Sequence, residues 1–286
     1  MRKLQYTFKT DTLFKMLFVK HPDLLKKLVS ALLGIPLESI GQFVVRNEEI
    51  TPENLGDKFC RLDINMVVNG QLVDLEVQIA DEGDYPERVM LYWAREFSSA
   101  LPAGQSYTML PRTIIISILD FNLFDCTQFH SFFQPLEVTR HTLLSDKMGF
   151  HFFELRKLPG SVSERDALLL WLTLFNANTE EDLEKIQAME VPEMNQAINA
   201  YYTITASPEF REVERLREKA RHDEAQALYH ARREGKIEGK IEGKIEIARN
   251  LLKIDLPIGQ IVAVTGLTAE EVERLRREET AGRGKG

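Results

Sequence analysis

Two short alternating runs meet at Asn69–Gly70, and no other local feature constrains this chain as tightly. Asn-Gly is the preferred pair for a two-residue type I′ hairpin, because both central positions need a positive φ. A two-residue loop fixes the register, so Val68 faces Gln71 and the pairing runs outward from there. Leu62 then meets Val77, Ile64 meets Leu75 and Met66 meets Val73, an apolar face that must be core. On the other face Arg61 meets Gln78, Asp63 meets Glu76 and Asn65 meets Asp74. Two carboxylates are thus expected opposite each other, with Cβ atoms about 4.5–5.5 Å apart.

Like charges opposed across strands are destabilising. Arg61 relieves part of that repulsion and a divalent cation relieves more. Oxygen-only ligation suits Mg²⁺, which takes one or two carboxylates and keeps several waters. An ordinary wet face of a half-buried sheet carries the same residue types. Three features favour the ion site: the third carboxylate of Asp74, the neutral amide of Gln78, and a basic helix upstream of the sheet.

Around the hairpin, residues 11–33 read as helix, with Asp11 as a cap, a break or restart at His21–Pro22, and an end at Gly34. Strands are expected near Gln42–Arg46, at Arg112–Leu119, and over Phe129–Val138 and Phe150–Leu158. Residues 86–101 form an amphipathic helix pattern that brings Arg88 and Tyr92 to one face, at i and i+4. After Gly160 the pattern turns helical. Strands early and helices late give an α/β or α+β core with a helical tail.

The net charge of the 286 residues is −8. Residues 1–30 carry +5 and residues 211–286 carry +2, which leaves −15 to residues 31–210. That excludes a protein that coats nucleic acid by bulk electrostatics; contact with DNA would need a local patch or a cation. Two distant cysteines, Cys60 and Cys126, make no disulfide framework and suit a reducing cytoplasm. No apolar stretch is long enough for a bilayer. His130, His141 and His151 lack metal-ligand spacing and read as ordinary surface or core residues.

A long helix is expected from Ser207–Pro208 to about Leu252, containing three successive Gly-Lys-Ile-Glu units from Gly235. Ile237, Ile241 and Ile245 make a thin apolar seam, and each glycine costs the helix about 1 kcal/mol relative to alanine. The segment reads either as a self-association helix with close backbone approach or as a flexible linker. Beyond Pro257, two short helices join at Gly266–Leu267, with Thr268 and Glu271 set for a capping box. Glu270, Glu271 and Glu273 open the second helix and would face phosphates, so packing or dimerisation is favoured over DNA reading.

Asp63 followed at hairpin distance by Glu76-Val77-Gln78 resembles the PD-(D/E)XK nuclease signature, in the variant with glutamine for lysine. Asp11-Thr-Leu-Phe-Lys15, the leucine-rich helix, Arg61-Leu-Asp63, Arg88-Val-Met-Leu-Tyr92-Trp93 and Gly104-Gln-Ser-Tyr107 resemble, in order, the recombination-promoting nuclease (Rpn) or transposase family over about residues 8–160. The resemblance implies an α/β fold: a PD-(D/E)XK, restriction-endonuclease-like core with a mixed sheet flanked by helices, plus a C-terminal helical tail. The expected segments are a nuclease core at 1–160, a helical extension at 161–206, and an oligomerisation tail at 207–286.

It also implies a cytoplasmic, Mg²⁺- or Mn²⁺-dependent DNA endonuclease of low sequence specificity, linked to recombination or mobile elements. Asp63, Glu76 and the Val77 carbonyl would hold the metal. Gln78 would orient water or bind a phosphate oxygen, although an amide brings neither charge nor a titrating base. Asp11, Lys15, Arg61, Arg88 and Tyr92 would border the DNA. The partners implied are DNA and a second copy of the chain, joined through the C-terminal helix; no membrane is implied. The competing expectation is a catalytically weak or inactive nuclease fold that binds DNA or acts as an oligomeric scaffold.

Overall fold

The computed structural model describes residues 2–46 and 64–283. It divides into two compact units, Met1–Arg217 and Glu218–Gly286.

The first unit is built on a six-stranded mixed sheet. The strands are β1 (Phe43–Val45), β2 (Ile64–Val68), β3 (Gln71–Gln78), β4 (Thr113–Leu119), β5 (His130–Phe133) and β6 (Met148–Glu154). Their spatial order is β1-β2-β3-β4-β6-β5. β3 and β6 flank β4 in parallel, whereas β1, β2 and β5 join antiparallel. All seven residues of β4 are buried, as a near-continuous isoleucine run in a parallel centre requires.

The hairpin follows the expected register, with Ile64 on Leu75, Asn65 on Asp74 and Met66 on Val73. Asn69 and Gly70 have φ of 49° and 78°, the left-handed values that a type I′ turn demands. Asn69 does more than turn the chain. Its Oδ1 accepts from the amides of Gly41 (2.9 Å) and Gln42 (3.0 Å), and its Nδ2 donates to the Ser39 carbonyl (2.8 Å). The turn is thereby tied to the segment that leads into β1. Asn69→Gly keeps the backbone freedom and deletes three bonds, so urea unfolding should show a loss of about 1–2 kcal/mol.

One face of the sheet carries the larger core. Ile64, Met66, Val73, Leu75, Ile114, Ile116, Ile118 and Phe153 pack there with α1 (Asp11–Lys20), α2 (Pro22–Leu33), α4 (Ala167–Asn176), α5 (Glu180–Gln187) and α6 (Pro192–Ala206). The break between α1 and α2 falls at His21–Pro22, and Gly34 ends α2 in the left-handed conformation at φ 64°. Asp11 is not the α1 cap: Thr10 holds that position, and Asp11 lies in the first turn. The first residues are stitched to the helical part. The Leu4 amide donates to Asn178 (2.9 Å), the Glu180 amide donates to Arg2 (3.0 Å), and Lys3 bridges Thr179.

The opposite face is covered by α3 (Tyr85–Ser99), whose Tyr85, Val89 and Trp93 pack on Ile115, Leu119, Phe150 and Phe152. β5 stops at Phe133, short of the expected Val138. Pro135 follows two residues on, and Leu136 and Leu143 form only an isolated bridge.

In the second unit, α7 (Pro208–Lys253) begins within the first unit and contributes its later turns here. Those turns pack with α8 (Ile258–Thr265) and α9 (Ala269–Arg283) around Ala248, Ile261, Leu267, Val272 and Leu275. Gly266 closes α8 at φ 66°. The capping box forms: the Thr268 amide donates to Glu271 (2.7 Å) and the Glu271 amide to Thr268 Oγ1 (3.3 Å). The Gly-Lys-Ile-Glu units are helical. Among the described residues, nothing apart from the helix's own nearby backbone lies within 4 Å of where a Cβ would stand on Gly235, Gly239 or Gly243.

Among the described residues, no helix is long and apolar enough to cross a membrane.

Candidate active site

Alternation along β3 sends Val73, Leu75 and Val77 to the larger core and Asp74, Glu76 and Gln78 to the α3 face. That face is not wet. Helix α3 closes over it, and Glu76 is only 1% exposed. A buried carboxylate requires partners. Tyr85, itself fully buried at the start of α3, donates its hydroxyl to Glu76 Oε1 at 2.5 Å. Gln78 Nε2 donates to Glu76 Oε2 at 3.3 Å. Arg88, one helical turn beyond Tyr85, donates from Nη2 to Gln78 Oε1 at 3.1 Å. Its Nη1 reaches Glu82 (2.7 Å) and lies 3.9 Å from Asp84. Its Cζ stands 5.0 Å from the Tyr85 ring centre, a cation–π contact.

Ser117 is the one hydroxyl in the β4 run Thr-Ile-Ile-Ile-Ser-Ile-Leu that stands in register with Glu76. It is fully buried, and its Oγ has no hydrogen-bond partner among the described residues. Glu76, Asp74 and Ser117 therefore place oxygen atoms on one dry face, a donor set suited to a hard divalent cation and unsuited to a soft one. No group of three His, Cys, Asp or Glu side chains that could hold a metal ion occurs among the described residues. Asp63 and Arg61, the expected partners of Glu76 and Gln78, lie outside the described residues, as do Leu62 and Cys60.

The remaining expected site residues are dispersed. Asp11 pairs with Arg217 at 2.8 Å, and the same arginine bonds Thr12 Oγ1 at 3.0 Å. Lys15 is 4% exposed, so it does not belong to a solvated helix face. Tyr92 is half-buried on α3, and its neighbour Trp93 donates Nε1–H to the Thr113 carbonyl at 3.0 Å. At the end of β3 the Gln78 carbonyl accepts from the Asp120 amide (2.8 Å), and Asp120 pairs with the buried Lys9 at 2.9 Å. The Val77 carbonyl, one residue earlier, points to the other edge of the strand.

Sequence reasoning missed Tyr85 and Ser117. Tyr85 repeats with Val89 and Trp93 as an apolar helix stripe, which conceals its polar end. Ser117 left a visible signal, a lone polar residue inside a buried isoleucine run, because such a residue needs a polar reason to be there.

Two of the histidines meet in the fold. His130 Nε2 and His151 Nδ1 lie 3.0 Å apart on neighbouring strands, and their rings stack with Phe132 and Phe153. Burial, then the nearby His130 and Arg112, push His151 down to about 4, and burial lowers His130 as well. Between pH 6.5 and 4 the unfolded chain therefore binds more protons at His151 than the folded one does. Stability from this residue is full above pH 6.5 and is lost as the pH falls toward 4, by at most about 3 kcal/mol. Urea midpoints across pH 4–7 should decline toward acid, and His151→Phe should flatten that decline.

A model of the PD-(D/E)XK nuclease family transposases matches residues 8–231. The chain belongs to this family. The match continues past the strands through α4, α5 and α6 and into α7. The mixed sheet with helices on both faces is the α/β arrangement expected of a PD-(D/E)XK core. Membership places the chain among nucleases or proteins of transposition chemistry. No curated protein and no solved structure matched the chain.

Proposed function

We propose that this PD-(D/E)XK family member is a divalent-metal-dependent DNA endonuclease of low sequence specificity, acting in recombination or in the movement of genetic elements in the cytoplasm. The observation that carries the proposal is Glu76, a carboxylate buried on the α3 face and held at both oxygens by Tyr85 and Gln78. A carboxylate kept at a buried position by oriented hydrogen bonds is a ready ligand for a hard divalent cation.

Asp63 and Glu76, with the Val77 carbonyl, would hold Mg²⁺ or Mn²⁺. Bound there, the ion would polarise a phosphodiester oxygen and lower the pKa of a coordinated water. The chain's own residues prepare that site. Tyr85 fixes the Glu76 side chain and spares it a search among rotamers. Helix α3 excludes bulk water, which strengthens every charge interaction beneath it. Gln78 offers an amide N–H to orient water or a phosphate oxygen. Arg88 and Tyr92 border the DNA from α3, with Arg61 as a further contact; Lys15 is buried and Asp11 is paired with Arg217, so neither is placed at that border.

A homodimer through the tail is part of the same proposal, because two centres could cut both strands of a duplex. Ile237 and Ile241 are 50% and 48% exposed on α7, beside glycines with open space around them. Sedimentation at micromolar concentration should show two chains per particle, and Ile237→Lys with Ile241→Lys should return it to one.

Incubation with supercoiled plasmid tests the activity. Open-circular product is expected with Mg²⁺ and none with EDTA, whereas equal nicking in EDTA would refute metal dependence.

A further inference from the structure

The lysine position of the PD-(D/E)XK signature holds Gln78 in this chain. We propose that Arg88 supplies the positive charge that this position lacks and sets the polarity of the Gln78 amide, making it a positioning residue for the centre. This rests on the reading of Asp63, Glu76 and Gln78 as that centre.

The order of donors carries it. A guanidinium only donates and a carboxylate only accepts. Gln78 lies between one of each, so its oxygen must face Arg88 and its nitrogen must face Glu76. The distances follow that polarity: Arg88 Nη2 to Gln78 Oε1 is 3.1 Å, and Gln78 Nε2 to Glu76 Oε2 is 3.3 Å. A reversed amide would set nitrogen against guanidinium and oxygen against carboxylate. The Arg88 side chain is 13% exposed, so its charge acts at the buried face. Glu82 and Asp84, which hold its outer edge, are 68% and 66% exposed, and water screens them. Arg88 also lies over Tyr85, the residue that grips the other Glu76 oxygen, so one α3 turn holds one carboxylate oxygen directly and the other through Gln78.

Lysine at position 78 would accept nothing from Arg88 and would place two cations together. The charge should therefore be tolerated at one position or the other, but not at both. Full-length wild type, Arg88→Gln, Gln78→Lys and the double variant are compared by plasmid nicking with Mn²⁺ and, separately, by calorimetric titration with Mn²⁺ alone. Each single change is expected to lower nicking about 100-fold, the usual cost of one oriented donor. The double variant should recover to within about tenfold of wild type. Gln78→Lys should weaken Mn²⁺ binding about tenfold through like-charge repulsion, and adding Arg88→Gln should restore it.

Losses that simply multiply in the double variant overturn the proposal. Restoration of Mn²⁺ affinity without nicking by any of the four proteins sustains it and overturns the nuclease reading instead. No Mn²⁺ binding by any of them overturns both. If Arg88→Gln does not fold, Arg88→Lys, which keeps the charge, should stay within about tenfold of wild type. A loss of about 100-fold in Arg88→Lys overturns the proposal.

Discussion

Glu76→Gln should fold like the wild type and lose plasmid nicking by about 10³-fold. The amide oxygen can still accept from Tyr85, while the charge that would hold a divalent cation is gone. Loss of several kcal/mol of metal-borne stabilisation corresponds to about three decades in rate. Glu76→Ala should be equally inactive and also less stable by about 1–3 kcal/mol, because it removes the short hydrogen bond from the fully buried Tyr85 hydroxyl. Initial nicking rates at saturating Mg²⁺, read beside urea unfolding, separate the two effects. A Glu76→Gln protein that keeps more than about a tenth of wild-type activity would show that the centre lies elsewhere.

The largest stability effect is expected away from the site, at Trp171. This side chain is 1% exposed on α4 and packs 6.0 Å, ring centre to ring centre, from Phe18 of α1. Trp171→Ala should cost about 3–5 kcal/mol, from lost burial and the cavity left behind. That is a large share of the 5–15 kcal/mol typical of a whole domain. It should lower the urea midpoint of one cooperative transition in which strands and helices melt together. A separate early transition confined to the helices would show that α4 is an appendage and not part of the sheet's core.

How far the fold could be read from residues depended on the range of the forces involved. The Asn69–Gly70 turn was legible because turn chemistry is local, and the pairing of Ile64 with Leu75 followed from counting. The α1–α2 break at His21–Pro22 and the capping box at Thr268 were legible for the same reason. The extent of β5 was not, since the strand pattern runs past Phe133 while Pro135 ends the pairing even though β6 extends on to Met148. The environment of the acidic face was not legible either. Alternation places Asp74 and Glu76 on one side, but whether water or a helix lies above them is decided by how α3 returns across β4. Likewise Asp11 reads as a cap by position, yet it pairs with Arg217, far along the chain. The His130–His151 contact depends on the pairing of β5 with β6, which no spacing reveals.

The stitching of residues 2–4 to residues 178–180 has a consequence for biosynthesis. During synthesis residues 2–4 wait for one of their final partners until residues 178–180 have been made. Until then α1, α2 and the isoleucine strand present bare greasy surfaces that chaperones would recognise. A nascent chain halted just after β6 should therefore remain protease-sensitive, and one extended past Ala206 should become resistant in a single step.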